Sequence, residues 1–352
     1  MNRQKTTALP EHRTAPRSAQ LDRHFPQGVP GLWTFMITHY TNAGLINWPR
    51  MDAHLAFVKA HVKGVILAAP QGDGSPLDAK TCEEFLVWAD KKLNARREFF
   101  MIAMNPSQAD TASVLQTIRA HVDGVSPDAP SSFTGVWARV DNNSQSLDEL
   151  VNASLPLGLE PATTNQNAAS TSTVTQAIAA LAQQNENILY AGDASADDQL
   201  ARCSDLPAGV FRLRTAEGEY SHQLGSSGGP YHGLLLTSAN HFPQQLAQLV
   251  LAPALGKWDE AHALSAKLTS FYKAAVTLQD QTANASPNAQ AAQQLCKAID
   301  HHMAHGPAAS ATTKDAPLPC MQNGEPLTVD LIKNAGELLA RHDLLPEAGY
   351  LA

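Results

Sequence analysis

Residues 232–273 read HGLLLTSANHFPQQLAQLVLAPALGKWDEAHALSAKLTSFYK. The short apolar run His232–Ser238 has the length of a buried strand. Pro243 suits the first turn of a helix and Gly256 suits a helix end. Between and beyond them, Pro243–Leu255 and Trp258–Val276 carry apolar residues at three- and four-residue intervals. The segment is therefore a strand, a turn and two helices.

The same strand–helix alternation extends backward. The predicted strands are Leu32–Thr38, Gly64–Ala69, Phe99–Met104, Gly135–Val140, Leu159–Thr164, Asn187–Ala191, Gly209–Arg214 and His232–Ser238. Helical spacing fills Met51–His61, Ala79–Lys92, Thr111–His121, Ser146–Leu155, Ser172–Gln184 and Ala196–Asp205. The seventh connection, Thr215–Tyr231, is short and glycine-rich, with little room for a helix. Eight such units imply parallel strands with right-handed crossovers, an α/β TIM (β/α)8 barrel. An open doubly wound sheet is the runner-up, but no GxGxxG follows the first strand. Ala289–Met303 and Val329–His342 add amphipathic helices, giving an additional C-terminal helical region. The expected domains are a flexible tail over 1–28, a barrel over 29–242 and packed helices over 243–352.

The tail expectation rests on Arg3, Lys5, Arg13, Arg17 and Arg23 among few apolar side chains. Such a composition buries too little surface to offset ordering entropy. Over the whole chain the net charge is −8, which argues against nucleic acid as a partner. No apolar run reaches the length of a membrane span, so a cytoplasmic protein is expected. Cys82, Cys203, Cys296 and Cys320 form no CxxC and read as free thiols. Asp300-His301-His302 with His305 places His301 and His305 on one helical face, but no third ligand is evident and the face reads as exposed; no metal or cofactor is expected.

The run 232–273, with Gly233, Ala239, Asn240, Pro243, Gly256 and Ala261, resembles the last barrel strand and following helices of the dihydrodipicolinate synthase / N-acetylneuraminate lyase family. Gly72-Asp73 and Leu77 are similar to the family's carboxylate-holding Gly-Thr-Thr-Gly-Glu turn after the second strand, with Pro70 and Gln71 in place of its threonines. The resemblance implies a carbon–carbon lyase or synthase, a keto-acid substrate and a homo-oligomer, dimer or tetramer. It also implies a Schiff-base lysine on a central strand, yet no lysine lies between Lys92 and Lys257. Three registers fit the middle strands. Ile188-Leu189-Tyr190 resembles the fifth strand, which ends in a catalytic tyrosine and places Arg214 on the lysine. Tyr190-Ala191-Gly192-Asp193 also resembles the turn after the seventh, and a plain count makes the segment the sixth. In each, another residue holds the lysine position, and arginine is no amine nucleophile.

In such a barrel the site lies at the C-terminal strand ends. Polar residues expected there include His39, Gln71, Asp73, Asn105, Asp141, Asn142, Thr164, Asn165, Thr237 and Asn240. Tyr190 and Asp193 are the catalytic candidates, as acid or base. Arg214, Gln71, Gly72, Asp73, Thr38 and Asn240 are the ligand-binding candidates. In GVFRLR, Phe211 and Leu213 are expected to pack on outer helices, leaving Arg212 and Arg214 toward the axis. In GVWARVD, Val136, Ala138 and Val140 are expected to face outward, leaving Arg139 and Asp141 inward, with Glu160 beside them. The expected function is a divergent family member that binds a small carboxylated metabolite, with catalysis altered or lost. The alternatives are a lyase using a lysine-independent mechanism and a non-catalytic regulatory or structural subunit.

Overall fold

A computed structural model describes residues 16–74, 76–106, 110–125, 131–141, 147–162, 168–283, 288–310 and 316–351. Eight strands form one closed barrel in sequence order: β1 (Leu32–Phe35), β2 (Gly64–Leu67), β3 (Phe99–Met104), β4 (Phe133–Val140), β5 (Leu157–Pro161), β6 (Ile188–Asp193), β7 (Phe211–Arg214) and β8 (Gly233–Leu235). All neighbours are parallel, and β1 pairs with β8 to close the ring. Strand order thus resolves the register: Ile188–Asp193 is the sixth strand.

Ahead of the barrel stands α1 (Arg17–His24). The next helices are α2 (Trp48–Lys59), α3 (Ala79–Lys92), α4 (Thr111–Asp123), α5 (Leu147–Asn152) and α6 (Ala168–Gln184), one in each of the first five crossovers. Local chemistry sets their starts. Asn47 accepts the Arg50 amide ahead of Pro49, and Asp78 accepts the Thr81 amide. The seventh crossover holds only the one-turn α7 (Tyr220–Gln223) and a 3-10 turn. After β8 come α8 (Pro243–Leu251), α9 (Trp258–Ala283), α10 (Asn288–His305) and α11 (Val329–Arg341). Pro243 opens α8, and Gly256, at φ +71°, ends the 3-10 turn behind it, as the sequence suggested.

Alternation divides the apolar side chains into two compartments. Val65, Leu67, Ile102, Val136, Leu159 and Leu234 pack outward against the helices. Trp33, Phe35, Met101, Trp137, Tyr190 and Leu213 fill the barrel axis. The two indoles fit because glycines face them: Trp33 lies over Gly64, and Trp137 lies over Gly158 and Gly192. Any Cβ at those glycines would collide with the rings.

Three expectations are corrected. Within the tail expected over 1–28, Arg17–His24 is a helix; residues 1–15 lie outside the described residues. Arg17 donates to the carbonyls of Ala182, Asn185 and Ile188, and Phe25 is buried against Trp33 and Phe99. The segment therefore closes the lower end of the barrel, because aromatic burial there offsets ordering entropy. The helix expected over Ala196–Asp205 is a series of turns. Asp193 accepts the amides of Ser195, Leu200 and Ala201 and the Ser195 hydroxyl, which fastens that loop in a non-helical path. Lastly, β7 has the opposite parity. Leu213 is on the axis, and Arg214 points outward to Asp198, with Nη1–Oδ1 at 3.0 Å. With no helix covering this crossover, the outer face of β7 meets a polar loop, so the arginines go there and the apolar side chains go in.

Candidate site at the barrel mouth

The C-terminal strand ends open into a cavity of about 590 Å³, walled on the other side by α9 and α10. Its polar floor and rim come from Gln71 after β2, Arg139 on β4, Glu160 on β5, Thr215 and Glu217 after β7, and Thr237 and Ser238 after β8. Phe271 and Tyr272 of α9 and Leu295, Cys296 and Ile299 of α10 form the more apolar wall. Gln293 of α10 donates to the Pro70 carbonyl at 2.6 Å, tying that wall to the rim.

Two carboxylates organise the polar side. Glu160 is buried beside Trp137, with Arg139 Nε at 3.2 Å and Gln71 Nε2 donating at 2.8 Å. Burial raises its pKa and the Arg139 charge opposes the rise. Glu217 accepts the Ser238 amide at 2.8 Å, the Ser238 hydroxyl at 2.5 Å and the Tyr220 hydroxyl at 2.8 Å. Burial raises its pKa too, against those hydrogen bonds.

His241 and Cys296 also line the cavity but form no nucleophilic pair. His241 Nε2 lies 3.0 Å from the Cys296 carbonyl, which can only accept, so Nε2 carries the proton and cannot take one from the thiol. Burial holds His241 down at about 4 and pushes the Cys296 thiol up, so both are neutral.

Of the sequence candidates, Gln71 lines the cavity. Gly72 is held beneath β1, where its carbonyl accepts the Thr38 amide at 2.7 Å. Asp73 turns toward α10 and pairs with Lys297 at 2.5 Å. Thr38 is buried under the rim. Asn240 is fully buried and braces the barrel seam, donating to Phe35 and Thr237 carbonyls and accepting from the Ile37 amide. Tyr190 packs in the lower axis, edge-on to Phe25 and tilted against Trp33, Asp193 is committed to its loop, and Arg214 is on the outer face. Arg139 is inward as expected; Asn142, Thr164 and Asn165 lie outside the described residues. The sequence reading missed Glu217 and Thr215, although both directly follow β7, because the reversed parity drew attention to Arg214.

A second polar cluster is buried between α2, β1 and α10. His39 Nε2 lies 2.9 Å from His54 Nδ1, and Asp300 Oδ1 lies 3.5 Å from His54 Nε2. His, His and Asp could serve a divalent cation. Here, however, Arg50 holds Asp300 Oδ2 at 2.7 Å and the Tyr350 hydroxyl donates to Oδ1 at 2.8 Å. The carboxylate's charge is already matched, and the cluster reads as a closed hydrogen-bonded network. The helix face expected to be exposed is thus corrected: Asp300, His301 and His302 are buried, because α10 lies between the barrel and α11.

No family model matches the chain, and no curated protein does. Solved structures do. A prophage protein of the dihydrodipicolinic acid synthase family from E. coli K12, in complex with pyruvate, aligns with TM-score 0.63 and 17% identity over 90% of this chain and 99% of that one. The dihydrodipicolinate synthase of Aquifex aeolicus gives 0.62 and 14% over 90% and 99%. The 4-hydroxy-tetrahydrodipicolinate synthase of Methylacidiphilum fumariolicum SolV gives 0.57 and 18% over 90% and 100%. At such low identity the likeness speaks for architecture, and across its length this chain has the fold of the dihydrodipicolinate synthase family.

Proposed function

We propose that the barrel mouth binds a small carboxylated metabolite and that it does so without Schiff-base chemistry. The observation that carries this reading is the inward Arg139, set against Glu160 on the cavity floor, in a barrel whose eight strands contain no lysine. A guanidinium offers paired donors to a carboxylate. The pyruvate in the E. coli relative supports the ligand class. With Ile188–Asp193 as the sixth strand, its mouth-side inward residue is Gly192, covered by Trp137. The buried lysine nearest the rim elements, Lys297, is engaged by Asp73 and the Cys320 carbonyl. The carboxylate contact first expected of Arg214 therefore passes to Arg139.

Two measurements test this. Pyruvate with borohydride should leave no covalent adduct by mass spectrometry, and a pyruvyl addition on any lysine would overturn the lysine-free reading. Pyruvate and larger keto acids should raise the melting temperature of the wild type and not of Arg139→Ala. An equal response from both proteins would remove the carboxylate site.

A second reading, lysine-independent lyase chemistry, is favoured by Glu160 and Glu217, two carboxyls that burial shifts toward the range useful for acid–base work. It expects slow deuterium exchange into the pyruvate methyl group, lost in Glu160→Gln. Self-association as a dimer or tetramer belongs to the same proposal, and sedimentation showing a monomer would remove it.

A further inference from the structure

The charges lining the cavity do not balance. Among its described lining residues, Arg139 is the only arginine or lysine, while Glu160 and Glu217 are both acidic. Arg139 lies against Glu160, so that pair is close to neutral. His241 is held neutral by burial. Glu217 makes no ion pair among the described residues. Its partners are the amides of Ser238 and Thr237 and the hydroxyls of Ser238 and Tyr220. Such donors stabilise a carboxylate ion without cancelling its charge. Among the described lining residues, Glu217 is therefore a carboxyl on the cavity rim with no cationic partner.

We propose that the ligand of this cavity is a zwitterion, an amino acid or amino-substituted carboxylate whose ammonium group is received at Glu217. This rests on the carboxylate reading above and specifies it further. Tyr272 and Phe271 line the same wall, and aromatic faces favour a cation. Burial disfavours the lone Glu217 charge, and an arriving ammonium would reverse that penalty. A keto acid, by contrast, brings negative charge toward a carboxyl that has no cationic partner and would be repelled by its ionised form.

Paired ligands separate the two readings: pyruvate against L- and D-alanine, and 2-oxoglutarate against L- and D-glutamate, by isothermal titration at neutral pH. At least one amino acid should bind about tenfold or more tightly than its keto acid in the wild type. Glu217→Gln keeps the shape and an acceptor while removing the charge; it should abolish that preference, by weakening amino-acid binding and leaving keto-acid binding equal to or tighter than in the wild type. Arg139→Ala should weaken both classes. Keto acids preferred in the wild type, with loss in Arg139→Ala, would overturn the zwitterion and keep the carboxylate site. An unchanged preference in Glu217→Gln would also overturn the zwitterion. No binding by any member would overturn both. Because the wild-type preference is decisive alone, a Glu217 variant that fails to fold does not rescue the proposal.

Discussion

At the scale of single residues, Arg214 and Gly192 mark what the barrel demands. Arg214 is buried on the outer face, its guanidinium on Asp198 and 5.7 Å from the Tyr231 ring. The Tyr231 hydroxyl donates to the same Asp198 oxygen. Arg214→Ala should therefore destabilise the free protein by about 3 kcal/mol in urea unfolding. The exposed Arg202 partly compensates Asp198, which keeps the loss near the low end for a buried pair. Ligand-induced stabilisation should survive the change, and a variant with wild-type stability but no ligand response would restore Arg214 to the site. At Gly192 the limit is volume, since a Cβ would press on the Trp137 ring and on Glu160. Gly192→Ala should cost about 1–3 kcal/mol from overpacking. Trp137→Phe should recover part of that loss in the double variant, which a thermodynamic cycle would read.

At the scale of elements, α10 joins the cavity wall to the buried histidine network. On one side it offers Leu295, Cys296 and Ile299 to the cavity; Asp300 meets His54, Arg50 and Tyr350 on the other. The Tyr350 ring stacks on His54 and Phe57, so the C-terminal segment is locked onto α2 and α10. Tyr350→Phe removes a hydrogen bond to a charged group and should cost about 1.5–3 kcal/mol. Burial lowers the pKa of His39, His54 and His241, the last to about 4. Below the usual imidazole pKa of 6.5 the unfolded chain binds protons that the folded chain refuses. Stability is therefore full above pH 6.5 and falls as pH drops toward about 4, through these groups. Asp300 is held below the usual carboxylate range despite burial, by His54 and Arg50, and adds a further loss only in stronger acid. A melting temperature flat between pH 7 and 5 would contradict this account.

At the scale of the whole molecule, the barrel places an Arg–Glu pair and a lone Glu at the mouth of a packed axis and closes the far end with Phe25. Described helices include none long and apolar enough to cross a membrane. The sequence by itself determined the architecture, because strand-length apolar runs alternating with helical spacing admit few packings, and the run 232–273 already contains the last strand with its following helices. It also determined that no strand carries an amine, since residue type needs no coordinates. It located Arg139 and Glu160 on the inner face, because Val136, Ala138 and Val140 leave those helices only one side to bury. Tertiary structure alone decided the parity of β7, since FRLR alternates equally well either way and the absence of a helix between β6 and β7 removed the apolar partner from its outer face. It alone sent Asp73 to Lys297 and gathered His39, His54, Arg50, Asp300 and Tyr350, contacts that span up to 300 positions of chain and follow from no local pattern. Local periodicity specifies which side chains are buried; which charges meet once buried is set by the closure of the barrel and the docking of α10 upon it.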